Sequence, residues 1–291
     1  MCPEVALASA TGLWVTPGPD GFGAAIGGVD LAQGLSSDDL AAVQAAFARY
    51  SVVWFRDQPL THKALEALSR QLGDFGDEPY AAPLPGHPNI LEVRREPEET
   101  VTVFGGGWHS DWSFLETPPA ATLLHAKIIP PFGGDTLFAD GSRAYEALDS
   151  ATQQAIAGLR GWHSATGPYG PEGYFAKETG RVGMTIYSSP EADKRFSHPL
   201  VRTHPVTGRQ SLFISPGYTV GIEGMDPAES GPLLARLFSH MTEDRFVIRH
   251  SWAPDTLTLW DNRCVLHHAT GGYDGHRRVL HRTTLVGERP V

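Results

Sequence analysis

Cysteine is nearly absent from this chain: Cys2 and Cys264 are the only two. They build no disulfide framework and no CxxC metal or redox site, so any metal must be held by histidine and carboxylate. Positive charge is scarce too. Against 33 acidic residues stand 23 Lys and Arg, a net charge of −10, which argues against a nucleic-acid partner, since that binding rests on clustered cations neutralising phosphates. A small organic anion stays compatible with this balance if a few arginines are focused at one point. No run of about 18 uncharged apolar residues occurs, so no membrane span is expected. The opening stretch MCPEVALASATGLW lacks a basic segment leading into a continuous apolar one, which predicts a soluble protein of the cytoplasm.

Present in quantity are 32 glycines and 23 prolines, spread without a period and punctuating many short elements. No boundary or repeat divides the chain, and residues 1–291 are expected to form one domain. Helical patterning is confined mostly to the two ends. SSDDLAAVQAAFARY opens with Ser37 as expected N-cap and carries Leu40, Val43, Phe47 and Tyr50 along one side; THKALEALSRQLG runs from a Thr61 cap to Gly73; and DPAESGPLLARLFSHM has Asp226 as cap, Pro227 first and Glu229 third. Strand-like runs lie between and after these: SVVWF at 51, ATLLHAKI at 121, DTLFA at 135, SLFIS at 211, RFVIRH at 245, TLTLW at 256 and RVLHRTTLVG at 278. Many short strands with a few helices outside predict a mostly β fold with flanking helices, a sandwich of jelly-roll type.

That frame bears on one stretch, GGGWHSDWSF at 105–114. If it is a strand, His109 and Asp111 point to one face and Ser110 to the other, which places an imidazole and a carboxylate together. HxD by itself is weak evidence, because a buried histidine beside an aspartate needs no metal to be satisfied. A third ligand from the distant stretch LTLWDNRCVLHHATGGYDGHRRVLHRTTLVG would complete two histidines and one carboxylate, the set of non-haem Fe(II) oxygenases. Spacing leaves His267 and His268 both open, since neighbours on a strand face opposite ways. Arg278 and Arg282 share a face with Leu280 between them. Two guanidiniums in an interior require anions to meet them; a pair of surface salt bridges is the plainer alternative.

WHSDWSFLETPPAATLLHAKIIPPFGGDTLFAD together with LWDNRCVLHHATGGYDGHRRVLHRTT resembles the taurine dioxygenase and 2,4-dichlorophenoxyacetate dioxygenase family of Fe(II)- and 2-oxoglutarate-dependent oxygenases. The likeness extends from GFGAAIGGVDLAQGLSSDDL and SVVWFRDQPL through HPLVRTHPVTGRQSLFIS to the end, and HxD, GGDT, WDNR, the late histidine and both arginines fall in family order. The resemblance implies a double-stranded β-helix, and His109, Asp111 and His267 as ligands of Fe(II), with His267 chosen because it lies five residues after Asn262. Thr136 matches the threonine, and Arg278 the arginine, that hold the distal carboxylate of 2-oxoglutarate; a guanidinium fork suits a carboxylate. Arg282 matches an arginine that holds the taurine enzyme's sulfonate and lies close to the cosubstrate, so it is assigned to both. The implied activity consumes 2-oxoglutarate and O2, releases succinate and CO2, and hydroxylates a small anionic organic substrate.

Departures from the taurine enzyme disfavour taurine itself. Gly76 stands where a histidine serves the sulfonate, and the asparagine expected before HxD is a glycine of FGGG. Trp112 replaces a small aliphatic residue and Tyr218 a phenylalanine, which suits a larger or aromatic-bearing substrate, with Trp112 and Tyr218 as substrate contacts and Trp108 and Trp112 as walls of the site. The class of substrate expected is a carboxylate such as an aryloxyalkanoate, or a sulfonate or sulfate ester. The turn-rich stretch at 164–197 is expected to form a lid, with Tyr169, Tyr174, Phe175 and Lys177 as candidate contacts. His125, His163, His198, His204, His250 and His281 are read as structural, and Cys264 as a small buried hydrophobe. Asp111 disfavours halogenation, since family halogenases have a small residue there. Family members are commonly dimers or tetramers. Two other classes stay open: a metal-dependent hydrolase or isomerase on a jelly-roll scaffold, which leaves Thr136 and Arg278 without a role, and a non-catalytic binding module.

Overall fold

The computed structural model describes residues 12–291; Cys2 and most of the opening stretch considered above, residues 1–11, lie outside the described residues. In chain order the strands are β1 (Trp14–Pro17), β2 (Ala24–Gly27), β3 (Val52–Phe55), β4 (Leu91–Arg95), β5 (Ala121–Ile128), β6 (Thr136–Asp140), β7 (Arg160–Ser164), β8 (Arg195–Pro199), β9 (Val201–Thr203), β10 (Gln210–Leu212), β11 (Thr219–Ile222), β12 (Val247–His250), β13 (Leu257–Asp261), β14 (Val265–Ala269) and β15 (Arg278–Leu285). The helices are α1 (Ser37–Tyr50), α2 (His62–Leu72), α3 (Gly141–Glu146), α4 (Ser150–Ile156), α5 (Thr166–Tyr169), α6 (Tyr174–Lys177) and α7 (Pro227–Met241). The protein is mostly β with flanking helices.

Caps delimit the long helices. Thr61 accepts from Ala64 N and Gly73 closes α2, while Asp226 accepts from Ala228 N with Pro227 at the first position of α7. The cap of α1 is one residue earlier than the sequence suggests: the Ser36 hydroxyl, not that of Ser37, accepts from Asp39 N.

A seven-stranded sheet runs β1-β2-β3-β13-β5-β15-β4, and a three-stranded one runs β12-β6-β14. Strand alternation divides the interior in two. On β13, Leu257 and Leu259 face a core closed by Val43, Ala46 and Tyr50 of α1 and by Leu65 and Leu68 of α2, whereas Trp260 faces the opposite way. In the same manner Leu123 of β5 joins the helices' core, and its neighbour Leu124 joins Trp260, Leu280 of β15, Phe138 of β6 and Val265 of β14. This second cluster lies between the two sheets, and the candidate site borders it. Among the described residues no helix is long and apolar enough to cross a membrane.

Candidate metal and cosubstrate site

The stretch at 105–114 is not a strand. His109 forms an isolated antiparallel bridge to His267, its N–H donating to His267 O at 3.0 Å and its O accepting from His267 N at 2.8 Å. The chain then turns at once, with Trp112 left-handed at φ 44°. The strand reading fails because pairing stops after one residue: Ser110 is drawn aside by its own bonds, its hydroxyl donating to Asn262 O at 2.8 Å and its N–H to Ser215 Oγ at 3.3 Å.

His109 and Asp111 nevertheless converge, and with His267 they present ligand atoms all within 4.8 Å of one another. The Nε2 atoms of His109 and His267 each stand 3.8 Å from Asp111 Oδ1, too far for a hydrogen bond and open for an ion between them. His109 Nδ1 lies 2.7 Å from the Gly107 carbonyl, which can only accept, so the proton sits on Nδ1 and Nε2 keeps its lone pair. Burial pushes both histidines below the usual imidazole range, His267 well below it, with the Asp111 carboxylate opposing. Neutral imidazoles and an ionised carboxylate are the protonation states that a divalent metal needs. Burial would raise Asp111, but Arg282 and the two histidines outweigh it and hold the carboxyl at about 2. His268, one step along β14, packs edge-on against Trp108 at 5.5 Å and is not part of the cluster.

The WDNR segment acts behind the carboxylate. Asn262 Oδ1 accepts from Trp260 Nε1 at 3.1 Å, Asn262 Nδ2 donates to Thr122 Oγ1 at 2.9 Å, and Thr122 donates to Asp111 Oδ2 at 2.6 Å. Oδ2 is thereby engaged and Oδ1 faces the histidines. Asp261 is tied instead to Arg263 and His204. His204, Asp261 and Cys264 also cluster, yet this group does not invite a metal. His204 Nδ1 accepts from Val206 N and Thr207 N, so its Nε2–H donates to Asp261, and burial pushes the Cys264 thiol well up.

Beside the three ligands runs a narrow cavity lined by Thr136, Arg278 and Arg282. Thr136 accepts from Trp252 Nε1 at 3.0 Å, which leaves its own hydroxyl proton free to donate into that space. Arg278 is 4% exposed; its Nη2 donates to Gly134 O at 3.0 Å, while its Nε is buried without a partner. Burial lowers its pKa without discharging it. Gly134 is left-handed at φ 71°, and a Cβ there would approach Arg278 Nε to 3.1 Å, so the second glycine of GGDT is needed for this cradle. Arg278 and Arg282 do share a face of β15, with Leu280 between them fully buried.

A second cavity, of about 390 Å³, shares His109 and Arg282 with the first, reaches Asp111, and is walled by Phe104, Trp108, Trp112, Tyr169, Tyr174, Phe175 and Tyr218. Its size and aromatic lining suit a small organic ligand. Lys177 is not among its walls and pairs with Glu172 at 3.3 Å. Gly76 is not there either: it packs on β15, its N–H donating to Thr284 O at 2.9 Å.

Sequence reasoning missed Glu78. Its carboxylate accepts from Arg282 Nε at 3.1 Å and Nη2 at 2.5 Å and from Trp112 Nε1 at 2.9 Å, while Arg282 Nη1 donates to Asp111 Oδ1 at 3.0 Å. Burial raises Glu78 against the pull of Arg282, and Glu78 with Asp111 keeps Arg282 above its usual value despite its burial. A lone glutamate in a loop carries no signal in sequence. Thr122, Trp252 and Gly134 escaped for the same reason, each being defined by a partner more than a hundred residues away. The six histidines read as structural each have a partner, as His125 with Gln58 O at 2.8 Å and His250 with Thr258 Oγ1 at 3.0 Å.

The profile of the taurine catabolism dioxygenase TauD, TfdA family matches residues 14–284. The chain is 33% identical over 287 residues to the alpha-ketoglutarate-dependent 2,4-dichlorophenoxyacetate dioxygenase of Cupriavidus pinatubonensis, covering 93% of this chain and 96% of the relative. It is 31% identical over 277 residues to the alpha-ketoglutarate-dependent sulfate ester dioxygenase of Pseudomonas putida, covering 93% and 88%. A crystal structure of a taurine dioxygenase from Burkholderia xenovorans superposes with a TM-score of 0.79 at 34% identity, covering 96% of this chain and 92% of that one. The chain belongs to the TauD, TfdA family of dioxygenases. It is a 2-oxoglutarate-dependent dioxygenase whose reaction requires Fe(II), 2-oxoglutarate and O2. The hydrolase or isomerase alternative finds no support in these relatives.

Proposed function

We propose that this dioxygenase hydroxylates a small anionic organic substrate with an apolar or aromatic body, a carboxylate such as an aryloxyalkanoate or a sulfonate or sulfate ester, releasing succinate and CO2. His109, Asp111 and His267 hold the Fe(II), Thr136 and Arg278 the distal carboxylate of 2-oxoglutarate, and Arg282 lies between cosubstrate and substrate, since it lines both cavities. Trp112 and Tyr218 contact the substrate, and residues 164–197 form the lid. We further read the two facing sheets as a double-stranded β-helix in a single domain spanning the chain, and the protein as a cytoplasmic homo-oligomer, dimer or tetramer, without nucleic-acid or membrane partners.

Bound Fe(II) supplies activation of O2, coupled to decarboxylation of the keto acid. The chain's own residues bind, orient and shield. Neutral imidazoles and Asp111 Oδ1 offer three ligands from one side, with Thr122 fixing the carboxylate's rotation. Arg278 and Thr136 orient the cosubstrate at its far end. The aromatic walls exclude water from the carbon to be hydroxylated, and Tyr218, edge-on to His109 at 6.2 Å, closes the space above the ligands.

The observation that carries this reading is Arg278, a buried guanidinium beside the three ligands with an unpartnered Nε and no carboxylate salt bridge among the described residues. An interior cation so placed calls for an anionic ligand. Arg278→Ala is expected to weaken 2-oxoglutarate binding by about 30-fold or more, the cost of removing one partner of a buried charge pair. Anaerobic titration with Fe(II), followed by calorimetry and by the visible charge-transfer band of the chelated keto acid, measures this. Unchanged affinity would sink the assignment.

A further inference from the structure

Glu78 has no part in the reading above. It sits in the loop after α2, and its position follows from how that loop is stitched to β15: Phe75 bridges Leu285, Gly76 N donates to Thr284 O at 2.9 Å, and Val286 N donates to Asp74 O at 2.9 Å. A Cβ on Gly76 would come within 3.2 Å of Thr284 Oγ1 and 3.3 Å of the Leu285 backbone, so the loop lies close against the strand at this point. Two residues on, Glu78 meets the inward face of Arg282.

Glu78 does not line the 390 Å³ cavity, but both residues that it bonds do. Arg282 and Trp112 place three N–H donors on its two oxygens. Two of those donors belong to a guanidinium that stays charged and grips both carboxylate oxygens as a fork, so the geometry is that of an ionised carboxylate in an ion pair. Of the five N–H groups of Arg282, two go to Glu78 and one to Asp111, leaving two. No other arginine and no lysine lines this cavity. Its single permanent cation therefore arrives already matched by two carboxylates. With Fe(II) and 2-oxoglutarate in place, the charges of Asp111, Glu78, Arg278 and Arg282 cancel theirs, and no net positive charge is left to draw in an anionic substrate.

We propose that Glu78 is a positioning residue that sets the charge selectivity of the substrate cavity: by neutralising Arg282 and tying it to Trp112, it moves substrate selection from the anionic group to the apolar body. This rests on the dioxygenase site described above and concerns how that site ranks its substrates. Two ligands of one shape and different charge then differ little in affinity, and removing the Glu78 charge without its shape restores a preference for the anion.

The test compares phenoxyacetate with phenoxyacetamide, which share an aromatic body, by anaerobic calorimetry on protein loaded with Fe(II) and 2-oxoglutarate. In the wild type the two dissociation constants are expected to agree within about threefold. In Glu78→Gln, phenoxyacetate is expected to bind about tenfold tighter or more, the order of one unscreened charge at this range in a protein interior, with phenoxyacetamide unchanged within about twofold. Glu78→Asp keeps the charge and should return the wild-type ratio. A merely structural Glu78 would weaken both ligands alike. The proposal is overturned if wild-type protein prefers phenoxyacetate by more than about tenfold, a comparison that needs no variant, or if Glu78→Gln gains nothing for phenoxyacetate, including the case in which neither protein binds it. Binding of 2-oxoglutarate is measured first in each protein: its absence in the wild type counts against the dioxygenase site, and its presence without the anion gain counts against Glu78 alone.

Discussion

Thr122 is a strand residue with a short side chain, and yet the aim of the metal carboxylate depends on it. Its hydroxyl receives a hydrogen bond from Asn262 and passes one to Asp111 Oδ2, in surroundings where each of the three is buried. Polar groups in such a chain reinforce one another, and a gap in it leaves a buried acceptor unmet. Thr122→Val removes the link at nearly constant volume. It is expected to leave the fold intact and lower Fe(II) affinity about 10- to 100-fold, the usual effect of losing a group that orients a metal ligand. Competition with a chelator reads this, and affinity equal to wild type would show that Asp111 is held by Arg282 alone.

At the scale of elements, β15 carries most of the organisation. It pairs with β4 on one side and β5 on the other, presents Arg278 and Arg282 to the narrow cavity beside His109 and His267, and anchors the loop that brings Glu78. Leu280 sits between the arginines at 0% exposure and packs with Trp260, Phe138 and Val265 between the sheets. Leu280→Ala opens a cavity there and is expected to cost about 2–5 kcal/mol of stability. It should also weaken 2-oxoglutarate binding, because both guanidiniums lose the packing that separates them. Urea denaturation gives the first quantity and calorimetry the second; a loss under about 1 kcal/mol would mean that the sheets close over the gap. Helix α2 offers a milder contrast. Thr61→Ala removes one cap bond, worth about 1 kcal/mol, at a residue that lines neither cavity, and should leave cosubstrate binding as it was.

For the whole molecule, the buried histidines govern the response to acid. Burial holds His125 and His198 at about 4 and His250 at about 3, below the value near 6.5 that each takes when unfolded. Their folded pKa values are depressed, so the unfolded chain binds more protons and the stability they contribute is complete above pH of about 6.5 and is lost as pH falls towards 4 and 3. Each unit of difference corresponds to roughly 1.4 kcal/mol per group. Asp111 and Asp261, both held at about 2 against burial by cationic partners, add their loss only below about pH 4. Stability is therefore expected to be level between about pH 6.5 and about pH 8 and to decline steadily below that, well before Asp111 and Asp261 titrate. A urea midpoint unchanged between pH 7 and about pH 5 would contradict this.

Much of the site was legible in one dimension because its parts are residue types with few other reasons to stand together. His109, Asp111, His267, Thr136, Arg278 and Arg282 could be named from motifs, and periodicity found the strands at 52, 121, 136, 247, 257 and 278 and the three long helices. The strands at 14, 24, 91, 160 and 195 escaped because each is only four or five residues long, too short for a period of two to stand out from chance. HxD was given the wrong conformation since a single bridged residue followed by a left-handed Trp112 has no periodicity to read. The sequence by itself determined the ligand types and the family, for these are properties of side chains in order along a chain. Only the tertiary structure decided which oxygen of Asp111 faces the histidines, that Arg278 Nε is buried without a partner, and that Glu78 meets Arg282 across 204 positions, because those depend on how close two distant segments come, and packing alone sets that distance.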